Sequence, residues 1–330
     1  MLDALLLEEV KQHLENSNTF LLTCHIHPDG DALGSTMAMA HALNSIGKKV
    51  VVTFPDPFVL SYSLNATIPG LEKLVVPSNT IDTNKTFDIV MTFDCGSKSR
   101  LNGLEDLISR AKTFINVDHH LSNENFGDVN IIDVNAASSG SVVQEILDFC
   151  SISLNDDIAT CLYIALLTDT GRFQFSSTTP VVFEQAKILS EFDVDIAFLS
   201  RTLTEEDSYS LMKLAGRVLD VMQYDNDTNF AYSFVTVKMR EEFGCSYDEV
   251  EGLIELVRRS READVACMIK EFEPGDYRVS MRSIGKIDVC DIASSFGGGG
   301  HRYAAGFSST NSIDDILIKL KNLIVLARSK

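Results

Sequence analysis

The feature that most constrains the fold is Thr19–Asp31, TFLLTCHIHPDGD. An apolar run of strand length (Phe20, Leu21, Leu22, Cys24, Ile26) stops at two histidines, a proline, two aspartates and a glycine. A continuous apolar run bounded by turn formers is the signature of a strand buried on both faces, as in a parallel sheet. Asp31–Ala40, DALGSTMAMA, then opens a helix. In such a strand–loop–helix unit the loop lies at the carboxyl edge of the sheet, where open α/β folds bind ligands. His25, Asp29 and Asp31 supply one imidazole and two carboxylates, donors suited to Mn2+ or Mg2+. From this segment alone, a polar turn whose aspartates cap the next helix explains the residues equally well.

The same ending recurs, and recurrence favours the metal. Phe87–Asp94 (FDIVMTFD) is an apolar strand closed by a carboxylate, and Thr113–His120 (TFINVDHH) is closed by Asp118, His119 and His120. Asn155–Thr168 has helical period and leads into Asp169. Lys48–Phe54 and Val129–Val134 read as further strands, Leu71–Val76 as a short one, and Ser138–Cys150 as a helix. A turn at Cys95–Arg100 is followed by a helix to about Lys112. Strands alternating with helices predict a doubly wound, mainly parallel α/β sheet, whose carboxyl edge gathers these separated clusters. Five of the seven histidines (His25, His27, His119, His120, His301) fall in the clusters or in a late glycine loop. No HExxH, GxSxG or GxxxxGK[ST] motif offers a competing chemistry.

At 330 residues the chain has room for two domains. Pro180–Tyr224 is helical in pattern and is broken by the polar run Tyr224–Asn229. The division predicted is 1–190 for the sheet domain, 191–228 for a helical connector and 229–330 for a smaller α/β domain. The latter reads as a strand (Phe230–Val237), a helix (Asp248–Arg259) and two strands (Val265–Phe272, Tyr277–Ser283). A glycine loop and a closing helix (Ile313–Ala327) complete it. The glycine loop, Phe296–His301, is either a flexible turn or a bare backbone that lets N–H groups approach a phosphate. Arg282, Ser283 and His301 are donors suited to that phosphate. Arg258, Arg259 and Arg261 form a basic run that reads as a solvated helix end, and Arg100 and Arg172 are weaker phosphate contacts.

A formal net charge of −19 repels long nucleic acids, whose binding rests on Lys and Arg, so no long duplex is expected as a partner. A small anion remains compatible where metals and a few basic groups dominate locally. The seven cysteines are scattered and lack CxxC pairs, which predicts reduced thiols and a cytoplasmic location. Cys24 and Cys95 read as small buried thiols beside the site. No apolar stretch approaches the roughly 20 residues of a membrane span, and the acidic, amphipathic start does not resemble a secretory signal.

The HxxPDGD run at His25–Asp31, Asp94, the Asp118-His119-His120 triplet and Asp169 resemble the four motifs of the DHH phosphoesterase superfamily. The tail GGGGHRYAAGF (Gly297–Phe307) resembles the glycine-histidine motif of the DHH-associated C-terminal domain. The motifs run in the expected order over about residues 25 to 310, and the chain length is most similar to the bifunctional oligoribonuclease (nano-RNase)/pAp phosphatase group. The resemblance implies two divalent ions, Mn2+ with Mg2+ or Co2+ as substitutes. It places His25 and Asp29 on the first ion, Asp31, His119 and Asp169 on the second, and Asp94 across both. His120 would contact the scissile phosphate or protonate the leaving oxygen, as a catalytic partner of Asp94, while His27 and Asp118 would orient ligands. Arg282, Ser283, Gly298, Gly299, Gly300 and His301 would hold the substrate.

The expectation is a Mn2+-dependent phosphohydrolase that degrades short oligoribonucleotides, including dinucleotides such as pApA, and dephosphorylates 3′-phosphoadenosine 5′-phosphate (pAp). An inorganic pyrophosphatase or exopolyphosphatase is the alternative enzyme, disfavoured by the GGGGH tail. A nucleotide-binding regulatory protein is the alternative of another class, disfavoured because no candidate ligand is missing. A homodimer is compatible with the sequence without being required by it.

Overall fold

A computed structural model of the chain describes residues 2–82, 84–285 and 287–328, with the side chain of His301 also outside the described set. The chain divides into two compact units, Met1–Glu206 and Asp207–Lys330.

The first unit opens with α1 (Ala4–Asn16), followed by β1 (Thr19–Cys24), α2 (Gly30–Ser45) and β2 (Lys49–Val52). Two short helices, α3 (Tyr62–Thr67) and α4 (Leu71–Leu74), precede β3 (Phe87–Phe93). Then come α5 (Glu105–Ile108), β4 (Ala111–Asp118), β5 (Val129–Ile132), α6 (Ser139–Phe149), α7 (Asp156–Asp169), α8 (Pro180–Leu189) and α9 (Ile196–Thr204). The five strands form one all-parallel sheet in the order β2-β1-β3-β4-β5. The predicted α/β sheet is therefore present, and the reversal of strand order beside β1 opens the crevice at its carboxyl edge. Its two faces are unequal. Residues of α1, α2, α6 and α7 bury the face carrying Phe20, Leu22, Met91 and Val117. The opposite face, with Leu21, Val90 and Phe114, is covered by the short segment that includes Leu101, Leu104, Leu107 and Ile108.

That thin cover is where a helix to Lys112 is expected and not found. A 3-10 turn (Lys98–Leu101) and the one-turn α5 replace it, because Gly103 takes φ +80 and ends the first turn. Leu71–Val76, expected as a strand, starts as α4 behind the left-handed Gly70, and only Val75 bridges to Val52.

The second unit comprises α10 (Tyr209–Asp220), β6 (Gln223–Asp225), β7 (Phe230–Val235), α11 (Val237–Phe243), α12 (Ile254–Val257), β8 (Val265–Glu273), β9 (Asp276–Ser283), α13 (Val289–Ser294), β10 (Gly299–His301), β11 (Ala304–Ser309) and α14 (Ile313–Arg328). Its mixed sheet runs β10-β11-β9-β8-β7-β6, with only β7 and β8 parallel. One face packs against α13 and α14 through Cys267, Ile269, Met281 and Leu320. The other packs Ala266 and Met268 against Leu214, Leu253 and Val257. Helix α11 falls where the strand was expected to run on to Val237. Thr236 caps it through Met239 N and Gly244, at φ +71, ends it. Asp248–Leu253 is 3-10 rather than α, so the expected helix to Arg259 is α-helical only over α12.

No helix among the described residues is long and apolar enough to cross a membrane. All seven cysteines are free thiols.

Candidate metal centre

Four strand or helix ends build the centre. Beyond β1 the chain places His25 and then Asp29, whose Oδ1 accepts from Asp31 N and Ala32 N and so caps α2. The capping reading of this turn is thus correct, and it leaves the other carboxylate oxygen of Asp29 uncommitted to the cap. Asp31 stands in the first turn of α2, fully buried. Asp94 follows β3 with φ 52, a left-handed conformation that Asp tolerates and that is uncommon away from special sites. Asp118, His119 and His120 end β4, and Asp169 ends α7. The loops are tied together: Ile26 N donates to Arg100 O (2.9 Å) and Asp94 N to Val117 O (3.0 Å).

These ends converge. Ligand atoms of His25, Asp29 and Asp94 lie within 4.8 Å of one another, as do those of Asp31, His119 and Asp169, and those of Asp94, Asp118, His119 and His120. Asp94 faces both sides of the centre with different oxygens. Its Oδ2 is 3.4 Å from His25 Nε2, while its Oδ1 is 3.6 Å from His119 Nε2 and 3.5 Å from His120 Nδ1. His119 Nε2 also lies 3.2 Å from Asp169 Oδ2 and 3.8 Å from Asp31 Oδ2. The Nδ1 atoms of His25 and His119 face the carbonyls of Ile26 (2.7 Å) and Ala136 (3.2 Å). A proton on His119 Nδ1 satisfies the Ala136 carbonyl and turns its Nε2 lone pair into the cluster. Arg100 Nη2 sits 2.9 Å from His25 Nδ1, bringing a cation to the rim.

The electrostatics follow from crowding. Burial, then the charges of Asp94, Asp169 and Asp29, push the Asp31 carboxyl well above the ordinary carboxylate range. Desolvation and Asp94 likewise raise Asp29, although that residue as a whole is solvent-exposed. Desolvation, then Asp94 and Asp29, take Asp169 up to about 8. Asp94 departs from its neighbours. Burial pushes it up, but the hydrogen bond with His25 and the nearby His120, His25 and His119 rings outweigh burial and hold it at about 2. His120 is opposed by burial, yet its contact with Asp118 (Nδ1 to Oδ1, 2.7 Å) and the charge of Asp94 raise it to about 9. Burial pushes up the thiols of Cys24 and Cys95, the latter to about 12, so both are inert neighbours. The aspartates of the centre outnumber its cationic neighbours, Arg100 and His120, and with the imidazoles form a donor set short of positive charge. Mixed N and O donors of this kind suit a divalent transition ion.

The other expected residues differ in their placement. His27 is exposed, with φ 54, and belongs to none of the three clusters. Asp118 is fully buried, accepting from His119 N and from His120 and Asn123 side chains, so it orients the triplet's loop. Arg172 is exposed at φ 64, between Gly171 (φ 55) and Phe173 (φ 60), a left-handed run directly after Asp169.

In the second unit, Arg282 Nε donates to Glu255 Oε1 (3.2 Å), and Arg258 pairs with the same glutamate. Ser283 ends β9, with its N–H on Tyr303 O. Arg261 is nearly fully exposed, 3.8 Å from Glu262, as a solvated helix end should be. The glycine run forms a hairpin edge rather than a loose turn. A Cβ on Gly298 would sit 2.2 Å from Gly306 O, and one on Gly300 (φ +141) 2.5 Å from Ala304 O, whereas Gly299 has open space. Close strand packing therefore explains two of these glycines. The side chain of His301 lies outside the described residues.

Sequence reasoning missed the start of α6. Ser139 N and Gly140 N donate to Asp31 Oδ2 (2.6 Å) and Oδ1 (2.9 Å), and Ser139 Oγ donates to Asp94 Oδ1 (3.1 Å). The signal was present in Ser138-Ser139-Gly140-Ser141, which has more small polar residues than one helix cap needs. Asn123, which holds Asp118, had no comparable signal.

Residues 19–166 match the DHH family, N-terminal domain, and residues 227–326 match the DHHA1 domain. A bifunctional oligoribonuclease and PAP phosphatase, NrnA, of Thermus thermophilus is 30% identical over 86% of this chain and 82% of its own length. The Bacillus subtilis protein of the same name is 26% identical over 93% of this chain and 95% of its own length. Among solved structures, an exopolyphosphatase-related protein from Bacteroides fragilis superposes with a TM-score of 0.89 at 23% identity, covering 100% of this chain and 98% of its own. RecJ of Thermus thermophilus, solved with Mn2+, gives 0.56 at 12% identity over 97% of this chain and 55% of its own. At these identities the two structures share the fold with this chain.

Proposed function

The chain belongs to the DHH family of phosphoesterases, and on that premise we propose that it hydrolyses short oligoribonucleotides, dinucleotides such as pApA among them, and removes a phosphate from pAp. The reading is supported by the names of relatives that align over most of the chain, the Thermus thermophilus and Bacillus subtilis oligoribonuclease/PAP phosphatases. One observation carries the chemistry: the two oxygens of Asp94 face two separate donor groups, so a single carboxylate can be shared by two cations. In this assignment His25 and Asp29 hold one cation, and Asp31, His119 and Asp169 the other. Mn2+ fits the mixed imidazole and carboxylate donors better than Mg2+, with Co2+ as a substitute.

When bound, such a pair supplies Lewis acidity at the phosphoryl oxygens and lowers the pKa of a water that serves as nucleophile. The chain's own groups do the rest. Asp94, the strongest acid of the centre, stays ionised and keeps both donor groups in register. His120, held protonated at neutral pH by Asp118 and Asp94 facing its Nδ1, is the proposed proton donor to the scissile phosphate or the leaving oxygen. Arg100 is a further cation for the phosphate at the rim. In the DHHA1 domain, Arg282, Ser283 and the hairpin at Gly298–His301 are the proposed phosphate-holding groups.

The test is hydrolysis of a parallel panel by purified protein with Mn2+: pAp, pApA, a pentanucleotide RNA, a long single-stranded RNA and pyrophosphate. Products are identified by chromatography, and EDTA serves as the control. Turnover of pAp and the shortest RNAs is expected. Turnover confined to pyrophosphate would retain the metal centre and refute the substrate.

A further inference from the structure

Helix α6 is capped by Ser138, whose Oγ accepts from Ser141 N (3.0 Å). Ser139 is the next residue, at the first helical position, and is not needed as a cap. It is completely buried, a position where an unneeded hydroxyl is a cost. Its hydroxyl instead leaves the helix and donates to Asp94 Oδ1, just past β3, at 3.1 Å. Its main-chain N–H donates to Asp31 Oδ2 at 2.6 Å, and the next N–H, from Gly140, reaches Asp31 Oδ1 at 2.9 Å. One residue therefore grips two carboxylates that come from different elements.

We propose that Ser139 is a positioning residue that locks the shared carboxylate of Asp94 to the Asp31 side of the centre, so that the two cation positions form as a coupled pair. This rests on the metal-centre reading above. Each oxygen of Asp31 takes one N–H and keeps a lone pair for a cation, so its rotation is fixed. On Asp94, the Ser139 hydroxyl occupies one lone pair of Oδ1 and fixes the carboxylate plane, leaving Oδ1 and Oδ2 directed at different donor groups. Fixing ligand orientation in this manner is what residues behind a metal site contribute, typically about 10–100-fold in affinity or rate. Gly140 acts in the same device by allowing the approach. A Cβ there would lie 2.4 Å from Ala165 Cβ on α7 and 3.5 Å from Asp31 Oδ1.

Metal-free full-length protein is titrated with Mn2+ by calorimetry, and the exchange coupling between paired ions is read by electron paramagnetic resonance. Wild type is expected to take two ions and to show the coupled signal. Ser139→Ala cuts only the link to Asp94. Its second ion should bind about 10–100-fold more weakly, with the coupled signal lost at concentrations that saturate wild type. For pApA, kcat should fall while KM holds. Ser139→Thr, which keeps the hydroxyl, should restore both the signal and kcat. Gly140→Ala, which pushes α6 off Asp31, should weaken both ions. If the Ala variant does not fold by circular dichroism in EDTA, Ser139→Cys, with its weaker donor, is measured against the same expectation. A Ser139→Ala or Ser139→Cys protein with wild-type stoichiometry, affinity and coupling overturns the inference. A wild type that binds no ion pair overturns the reading of the centre beneath it, a result that no Ser139 variant can produce.

Discussion

Strand β3 carries an aspartate at each end, and the two have opposite roles. Asp88, at its amino end, accepts from Asn18 N, Thr19 N and Thr19 Oγ1 and pairs with Lys112 at 2.7 Å. It stitches the starts of β1, β3 and β4 together with N–H, O–H and ammonium donors, and its partners are complete. Asp94, past the carboxyl end, is met by imidazoles, a buried serine and other carboxylates. Both carboxyls are held below the ordinary range. The shift therefore does not separate structure from function; the partners do. Asp88 has only donors around it and is finished, whereas Asp94 shares its surroundings with the carboxyls of Asp29, Asp31 and Asp169, which still need a cation.

The largest expected break in this contrast is Asp94→Asn. Removing the shared charge should lower pApA hydrolysis by about 10²–10³-fold, the scale seen when a main electrostatic stabiliser of a transition state is lost. The circular dichroism of the metal-free protein should be unchanged. Wild-type turnover by the purified variant would remove Asp94 from the mechanism.

Asp118→Asn is expected to have the next effect. It keeps an acceptor for His120 but removes the charge that, with Asp94, raises that imidazole to about 9. The basic limb of the kcat profile should then move to lower pH, with a loss of about 10-fold at pH 8 and less at pH 6. An unmoved limb would assign it to another group.

The stability of the metal-free protein should also depend on pH in a direction set by the crowded edge. Asp29, Asp31 and Asp169 have raised folded-state values, so above the ordinary carboxylate range of about 4 the folded state holds more protons than the unfolded one and stability falls with rising pH. His120, also raised, adds stability below about 6.5 that is lost as pH rises through about 9. Thermal melts in EDTA should therefore give a lower Tm at pH 8 than at pH 5, and saturating Mn2+ should flatten the difference. A Tm that rises with pH in EDTA would contradict the crowding.

How much of this was legible depends on where the information lies in the chain. The parallel sheet was readable because β1, β3 and β4 are continuous apolar runs, and such runs have few other destinations. The residues at their ends were readable because a strand end fixes where the next side chains emerge. Short cover elements were not readable: α4, α5 and α11 are one or two turns long, and a single left-handed glycine or a Thr cap decides each of them. Ser139 was not singled out because its partners, Asp31 and Asp94, are 108 and 45 residues away, and no local pattern records such a contact. The glycine hairpin shows the same effect in the second unit. Gly298 and Gly300 are required by the backbone of β11, which the sequence alone presents as part of the same motif.

The smallest effect on activity, and the sharpest test of the contrast, is Asp88→Asn. Asp88 lies on the same strand as Asp94, yet its loss should leave kcat, KM and Mn2+ stoichiometry unchanged. Lys112, 77% exposed, contributes little as an ion-pair partner, so most of the effect comes from the weakened acceptor for Asn18 N, Thr19 N and Thr19 Oγ1. A charged acceptor of this kind is worth about 1.5–3 kcal/mol per bond at most. With the Asn carbonyl retained, a cost of about 1 kcal/mol is expected in urea unfolding at pH 7. Because the folded-state value of Asp88 is depressed, its contribution is present above the ordinary carboxylate range and is lost as pH falls below about 4. Wild type and variant should therefore converge in stability in acid while remaining indistinguishable in catalysis at neutral pH. A catalytic defect in Asp88→Asn would mean that the amino edge of the sheet reaches the chemistry, and the division between the two ends of β3 would fail.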